Sequence, residues 1–187
     1  SRRPIVAVME AALAAVDPVT AVTSALLVED GKLQVGERSY DLDIFERILV
    51  IGAGKAGAPM VQAVESALGP RIASGLVAVK HGHGAPTQSV ELVEAAHPMP
   101  NEAGVAAGQR ILEMVGDTGQ NDLVIALLSG GGSALLVAPA AGISLADLQA
   151  MTNALLASGA TINEINCLRK HCSAVKGGQL ARVVAPA

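Results

Sequence analysis

The stretch of sequence that decides the fold is residues 47–60, RILVIGAGKAGAPM. An apolar run leads into a glycine-rich turn and then into a helix-forming segment, so the expected order is strand, turn, helix. Gly52, Gly54 and Gly57 match G-x-G-x-x-G, a pattern typical of loops that bind dinucleotides. Lys55 stands inside the turn, where such a loop has no obvious use for a cation. Three interpretations are open: a cofactor loop, a phosphate site with a catalytic lysine, or only a tight turn.

Composition limits the fold class. Of the 187 residues, 51% are hydrophobic, yet Tyr40 and Phe45 are the only aromatic residues. The core must therefore consist of Val, Leu, Ile and Ala side chains, which suit buried parallel strands covered by helices better than a β-sandwich. The length is enough for one domain with a substantial core.

Charge and cysteine content exclude several functional classes. The net charge is −4, there is no long basic run, and stacking aromatics are lacking, which argues against nucleic-acid binding. No apolar run reaches the roughly 18 residues of a membrane span, and no signal peptide is visible. Cys167 and Cys172 point to different faces of a predicted helix, so neither a disulfide nor a metal pair is favoured. We therefore expect reduced thiols in a cytoplasmic protein without a membrane or nucleic-acid partner.

Strands and helices alternate along the chain, which predicts an α/β fold with a parallel sheet. The predicted strands cover residues 47–51, 75–80, 90–96 and 122–128, and the predicted helices cover 5–16, 56–68, 101–115, 145–158 and 162–184. A small hairpin is expected at 26–41, with its turn at Asp30 and Gly31. The prediction is one three-layer, Rossmann-like α/β domain with a mostly parallel sheet over residues 1–187.

Each of the four predicted strands ends in a loop of unusual composition: GAGKAG, KHGHG, HPMP and SGGGS. In parallel sheets, ligands bind beyond the carboxyl ends of the strands, so four such loops predict a site at that edge. The SGGGS loop can turn several N–H groups and two hydroxyls toward a phosphate or carboxylate. It is not a serine-hydrolase elbow, because residues 131–135 lack the closing glycine of G-x-S-x-G.

The last predicted helix carries an apolar stripe and a polar face. The apolar stripe is formed by Ile162, Ile165, Cys172 and Val175, and the polar face by Asn163, Asn166, Lys170, Ser173 and Gly177. Arg169, Lys170 and Lys176 are candidates for holding an anionic substrate. A merely solvated face is the alternative.

Histidines and cofactor signals leave more alternatives open. His81 and His83 have either a ligand or a loop role, since no acid or cysteine lies at a zinc-like spacing. His97 is a candidate general base or hydrogen-bonding group. A nicotinamide enzyme should carry an acid at the end of its second strand, but Lys80 and His81 stand there, which disfavours NAD and leaves NADP open. The P-loop pattern G-x-x-x-x-G-K-S/T is absent, and a lysine beside backbone donors suits phosphoryl oxygens.

Four blocks of sequence resemble one known family. GAGKA, AAHPMPN, LLSGGGSALL and LLASGATINEINCLRKHCSAVKGGQLA are similar to the amino-terminal domain of the class II glycerate kinases, or glycerate 2-kinases, which are often labelled hydroxypyruvate reductase. The resemblance covers essentially the whole chain. It implies ATP- and Mg²⁺-dependent phosphorylation of D-glycerate to 2-phosphoglycerate, in a cleft between a Rossmann-like domain and a smaller carboxyl-terminal domain.

The resemblance also implies roles for single residues. Lys55 matches the family's important lysine and is the expected catalytic residue. Substrate or phosphate binding is expected of Gly52, Gly54, Ser129, Gly130, Gly131, Gly132, Ser133, Asn166, Arg169, Lys170 and Lys176. The base is either His97 or a carboxylate of the second domain, and no metal ligand is expected within these residues.

Family members continue well beyond the point that corresponds to Ala187. We therefore expect this chain to be a fragment that folds but has little or no kinase activity without its carboxyl-terminal domain. A homodimer remains an open alternative to a monomer. Two other functions also remain open: an NADP-dependent hydroxypyruvate reductase, and a non-catalytic module that binds a sugar acid or a nucleotide.

Overall fold

The computed structural model describes residues 2–187, with side chains from Pro4 onward. The strands are β1 (Leu26–Glu29), β2 (Lys32–Val35), β3 (Arg38–Asp41), β4 (Arg47–Ala53), β5 (Ile72–Lys80), β6 (Val90–Ala95) and β7 (Asp122–Leu128). The helices are α1 (Arg2–Ala15), α2 (Pro18–Ala25), α3 (Gly57–Leu68), α4 (Glu102–Val115), α5 (Gly132–Leu135), α6 (Leu145–Ala157), α7 (Ile162–His171) and α8 (Gln179–Val184).

A four-stranded parallel sheet forms the centre of the domain, in the order β6-β5-β4-β7. Strand β4 lies inside the sheet because its side chains are aliphatic and alternate between two apolar cores. Ile48 and Val50 contribute to the core under α3, whereas Ile51 and Ala53 contribute to the core under α4. Helices thus cover both faces, and the predicted three-layer α/β fold is confirmed.

The predicted hairpin at 26–41 is instead a three-stranded antiparallel sheet in the order β1-β2-β3. The turn at Asp30 and Gly31 is confirmed, and both residues have positive φ (49° and 74°), as a tight hairpin turn requires. A second turn at Gly36, with φ of 58°, divides what the sequence suggested was one strand. Buried Leu33 connects this small sheet to the core beneath α3.

The predicted helix at 5–16 corresponds to α1, which ends at Ala15, just before Asp17 and Pro18. A second helix, α2, follows at once and was not predicted. The Asp17 carboxylate accepts a hydrogen bond of 2.8 Å from the Thr20 N–H, and proline occupies the first helical position. Both features stabilise a helix start, so the dipeptide that ends α1 also begins α2.

The prediction of one helix over 162–184 is wrong. Helix α7 ends at His171, and Ser173 then forms a bridge with Pro139. The Ser173 hydroxyl accepts hydrogen bonds from the N–H groups of Val175 and Lys176, and Gly177 and Gly178 have φ of 64° and 88°. These local bonds and left-handed glycines stop the helix before α8.

This break also corrects the predicted polar and apolar faces. Asn163, Asn166 and Lys170 share α7, whereas Ser173 and Gly177 lie beyond its end and are placed by the loop. Ile165 and Val175 are both buried, but Ile162 is largely exposed.

No single helix among the described residues is long and apolar enough to cross a membrane. Pro4–Ala15 and Pro18–Ala25, bent by 42° at their break, reach the required length and composition only as a pair.

An ion pair joins the first residues of β4 and β7, and its contribution to stability can be tested. Arg47 Nε and Nη2 each donate to the Asp122 carboxylate at 2.8 Å, and the Gly119 N–H donates to it at 2.8 Å. The guanidinium of Arg47 holds the pKa of the buried Asp122 carboxyl below its usual value, with a smaller effect from Gly119. The folded protein therefore favours the ionised form.

We expect Asp122→Asn to lower the free energy of unfolding by about 2 kcal/mol at pH 7, because charge-assisted hydrogen bonds are lost. The difference from the parent should shrink as the pH falls below about 4, since the lowered pKa stabilises the fold only while the carboxyl is ionised. Urea unfolding at several pH values measures this. Asp43→Asn, which breaks an exposed pair with Arg71 at 2.8 Å, is the control and should change stability by less than about 1 kcal/mol. A pH-independent difference at Asp122 would contradict the account.

Candidate functional site

The loops that follow the sheet strands meet at its carboxyl edge, as predicted. The Lys55 N–H donates to the Gly130 carbonyl at 2.9 Å, and the Ala56 N–H donates to the Ser129 hydroxyl at 3.1 Å. From the other side, His83 Nδ1 lies 3.0 Å from the Lys55 carbonyl oxygen, to which the ring donates. GAGKAG is thus held between the KHGHG and SGGGS loops.

The three glycines of G-x-G-x-x-G have a packing explanation. A Cβ at Gly52 would overlap the Leu127 carbonyl, and one at Gly54, whose φ is 152°, would overlap Ser129. At Gly57 a Cβ would lie 2.8 Å from the side chains of two β5 valines. Gly52 and Gly54 are buried, and the Gly54 N–H is already bonded to the Ala78 carbonyl at 3.0 Å. Packing alone therefore accounts for Gly52 and Gly54, and ligand contact by these two glycines stays a prediction.

Lys55 is exposed on the turn, and its side chain extends toward SGGGS. Its Cε lies 3.2 Å from the position that a Cβ on Gly131 would occupy, and His97 Nε2 lies 3.2 Å from the same position. A Cβ there would be in tight contact with both side chains, and the φ of 93° favours glycine. The structure thus brings together the Lys55 ammonium group, the His97 imidazole and the SGGGS loop, which were all site candidates from the sequence.

His97 is placed to act as a neutral imidazole. The ring is half-buried, and burial lowers its pKa, with further lowering by the nearby positive charges of Lys55 and Lys80. A neutral ring can accept a proton, which is the form that a general base requires. The role of His97 as the base stays a prediction.

The SGGGS loop combines occupied and available donors. The Gly132 N–H donates to the Ser129 carbonyl at 3.2 Å, and Ser129 itself positions the GAGKAG turn. By contrast, the N–H groups of Gly130, Gly131 and Ser133 donate to no other atom within residues 2–187. These three donors are available to an anion, as unpaired backbone N–H groups in loops often are.

A cationic cluster lies beside this loop. Asn166, Arg169 and Lys170 come from α7, and Lys176 comes from the loop that follows it. Together with Ser133 they line a cleft of about 470 Å³. Within the part of the chain that the structure describes, no Asp or Glu lines this cleft. The cluster therefore provides positive charge without a compensating acid, which suits an anionic ligand.

Lys176 is the member of the cluster whose side chain is bound to the backbone and whose pKa is lowered. Its Nζ donates to the Leu136 carbonyl at 2.8 Å. Burial, and secondarily the charge of Arg169, lower the pKa of Lys176 to about 8. The lysine is therefore partly neutral at slightly alkaline pH, and its charge costs folding free energy below that pH.

We expect the parent chain to gain stability relative to Lys176→Met as the pH rises from about 8 to about 10, the usual pKa range of an unfolded lysine. The reason is that the folded state releases the Lys176 proton before the unfolded state does. Urea unfolding at pH 7 and pH 9.5 measures the difference. Lys170→Met, which removes a lysine at an exposed position of α7, is the control for loss of a cation from the same cluster. Parallel stability curves for the parent and Lys176→Met would contradict the assignment.

The two histidines of HGHG have structural contacts. His83 bonds to the Lys55 carbonyl, and His81 Nδ1 lies 3.5 Å from the carboxylate of Glu94. Glu94 also accepts the Gly84 N–H at 3.1 Å, so it shapes this loop. Among residues 2–187, no group of three His, Cys, Asp or Glu side chains could hold a metal ion.

Sequence reasoning missed the contribution of α6. Thr152 and Leu156 of this helix, together with Ile165 of α7, line a second cleft of about 320 Å³ on the His97 side of the loop. These side chains follow ordinary helical periodicity, so no sequence signal distinguished them from core residues.

Sequence reasoning also missed Glu65. This buried carboxylate accepts hydrogen bonds from the N–H groups of Gln88, Ser89 and Val90 and so fixes the start of β6.

Comparison with known proteins gives the family. A profile described as a domain of unknown function, DUF4147, matches residues 5–187. The chain belongs to the DUF4147 family. This domain accounts for nearly the whole chain and includes every candidate site residue discussed above.

Named relatives of this DUF4147 chain confirm the resemblance to the glycerate 2-kinases. A glycerate 2-kinase of Pyrococcus horikoshii is 40% identical over 173 residues, covering 92% of this chain and 38% of that protein. An Agrobacterium vitis relative provisionally named as a hydroxypyruvate reductase is 43% identical over 187 residues, covering 100% of this chain and 40% of the relative.

A solved glycerate kinase of Thermotoga maritima has the same fold. It aligns with a TM-score of 0.82 at 37% identity, over 100% of this chain and 42% of that structure. The chain therefore spans about two fifths of the length of the relatives that it matches.

Proposed function

We propose that this DUF4147 chain is the amino-terminal domain of a glycerate 2-kinase, which transfers the γ-phosphoryl group of ATP to the 2-hydroxyl of D-glycerate. The observation that carries the proposal is the meeting of Lys55, the unpaired N–H groups of SGGGS and the cationic cluster at one edge of the sheet. Similarity to proteins named glycerate kinase supports the choice of reaction.

Phosphoryl transfer needs positioning and charge stabilisation more than covalent chemistry. Lys55 would stabilise the charge that develops on the transferred phosphoryl oxygens or hold the glycerate carboxylate. The N–H groups of Gly130, Gly131 and Ser133 would bind phosphate or carboxylate oxygens. Arg169 and Lys170 would complete the anion pocket.

Two parts of the chemistry need groups beyond these. His97 is the candidate within this chain for the base that accepts the proton of the 2-hydroxyl, and a carboxylate of a second domain is the alternative. Mg²⁺ prefers oxygen ligands, but no Asp or Glu lines either cleft within the described residues, so they do not provide a magnesium site. We propose that any Mg²⁺ is bound by the phosphates of ATP and by the second domain.

The proposal includes a second, carboxyl-terminal domain that closes the cleft, in line with the greater length of the matched relatives. On this basis the chain alone should fold and show little kinase activity. Robust ADP release by the chain alone, dependent on both ATP and glycerate, would contradict this part. We also place the protein in the cytoplasm, because Cys167 and Cys172 are both free thiols. A homodimer likewise remains a proposal.

The second candidate is an NADP-dependent hydroxypyruvate reductase. G-x-G-x-x-G and the name of the Agrobacterium vitis relative favour it, but packing explains the three glycines without a dinucleotide. Titration of the chain separates the two functions. ATP-dependent thermal protection supports the kinase, whereas an NADPH fluorescence change on binding supports the reductase. Binding of anions without turnover in a longer protein that carries this domain would instead indicate a sensing module.

A further inference from the structure

Two clefts of the size of a small-molecule site lie beside α7. The larger, of about 470 Å³, lies toward the loop after α7, and the smaller, of about 320 Å³, lies toward α6. Ser133, Asn166 and Arg169 line both clefts and form the wall between them. Both volumes fall in the range of about 300–1,000 Å³ that is usual for small-molecule sites.

The larger cleft has the chemistry of a polyanion site. Lys170 and Lys176 line this cleft and not the smaller one, so with Arg169 it has three cationic groups. Gly177 and Gly178 line it as well, and without side chains they allow close approach of a chain of phosphates to the backbone. Three cations without an acid match a ligand with several negative charges.

The smaller cleft has a different chemistry. Its cation is Arg169, and its other side chains include the His97 imidazole and an apolar group formed by Met99, Leu156 and Ile165. One cation, a neutral proton acceptor and an apolar surface suit a small monocarboxylic acid that carries a hydroxyl group. A triphosphate would leave most of its charge uncompensated there.

We infer that the two clefts are separate subsites, with the polyphosphate of the donor in the larger one and the hydroxy acid in the smaller one. This inference rests on the proposed kinase function and assigns the two substrates of that reaction to different sides of α7. Arg169 and Ser133 stand between the ligands, where the phosphoryl group would pass. Gly131, whose open side faces both Lys55 and His97, lines the hydroxy-acid side.

The test is a pair of calorimetric titrations on the 187-residue chain, since described residues of this chain form both clefts. Inorganic tripolyphosphate is the probe for the larger cleft, and D-glycerate is the probe for the smaller one. We expect each to bind in the presence of a saturating concentration of the other. Competition between them would overturn the division into subsites while leaving the kinase function intact.

Two variants assign each probe to its cleft. Lys170→Ala should weaken tripolyphosphate binding about tenfold and leave D-glycerate within about twofold. Leu156→Trp fills the smaller cleft from an exposed helix position, so it should weaken D-glycerate at least about tenfold and leave tripolyphosphate within about twofold. Circular dichroism melts confirm that both variants fold.

The possible results separate this inference from the function on which it rests. An exchanged pattern, or no binding of either probe to the folded chain, would overturn the subsite assignment even if a longer protein that carries this domain is an active kinase. Independent binding with the expected variant pattern would support the two subsites, and it would do so even if a longer protein that carries this domain shows no ATP-dependent turnover of glycerate, a result that would overturn the kinase function.

Discussion

A Lys55→Ala variant, made in a longer protein that carries this domain, is expected to lose at least about two orders of magnitude in kcat for glycerate phosphorylation. The side chain reaches the SGGGS loop beside His97, where its positive charge would stabilise the negative charge on the phosphoryl oxygens. Stabilisation that grows toward the transition state affects kcat more than KM. Steady-state kinetics with ATP and D-glycerate provide the measurement.

Two controls separate this effect from general charge loss. Lys32→Ala removes an exposed lysine on the small antiparallel sheet and should leave kcat within about twofold, since this lysine lies on another sheet from the candidate site. Lys55→Arg keeps the charge but changes its geometry, so we expect an intermediate loss. A decrease of less than about tenfold for Lys55→Ala would argue against a catalytic role.

The second large effect concerns folding. Gly52→Ala should lower the free energy of unfolding by about 3 kcal/mol or more, a large part of the usual stability of a domain. The added Cβ would overlap the Leu127 carbonyl, which is backbone of the neighbouring β7 and cannot move aside without separating the two strands. Urea unfolding of the purified chain, or loss of folded protein on expression, measures the effect.

The matched control is Gly119→Ala, because a Cβ there meets no atom within 4 Å and the φ of this glycine is not in the left-handed region. It should change stability by less than about 0.5 kcal/mol. If Gly52→Ala is as stable as this control, the packing explanation for the first glycine of G-x-G-x-x-G is wrong. In that case a ligand-binding role for this glycine would become the better explanation.

The central sheet could be predicted from the sequence because burial and secondary structure agree there. Strands β4 and β7 are short aliphatic runs that each end in a glycine-rich turn, and side chains in β4 contribute to both cores. The periphery was predicted less well because local bonds decide it. The Asp17 cap that begins α2 and the Ser173 bonds that follow α7 involve residue types that also occur in ordinary loops.

The site was predictable to the level of loops and not to the level of clefts. Parallel strands place all their carboxyl ends at one edge, so GAGKAG and SGGGS were expected there, and the pairing of β4 with β7 brings them together. The closeness of His97 to Lys55 depends on the course of the loop after β6, which no local pattern specifies. The smaller cleft depends on how α6 packs against α7, and that packing is decided by tertiary contacts alone.

The pattern that led to a dinucleotide hypothesis has a simpler physical origin. Gly52 and Gly54 allow β7 and the SGGGS loop to approach the turn, and Gly57 allows α3 to pack closely on β5. The close approach is what brings Lys55 to Gly131. The glycines therefore shape the site, while the lysine and the neighbouring donors provide its chemistry.

The most direct test of the central claim is a ³¹P NMR assay of a longer protein that carries this domain, supplied with ATP, Mg²⁺ and D-glycerate. The kinase account predicts equal amounts of ADP and 2-phosphoglycerate, with neither formed when D-glycerate is omitted. NADPH-dependent reduction of hydroxypyruvate by the same preparation, without any phosphorylated glycerate, would contradict it.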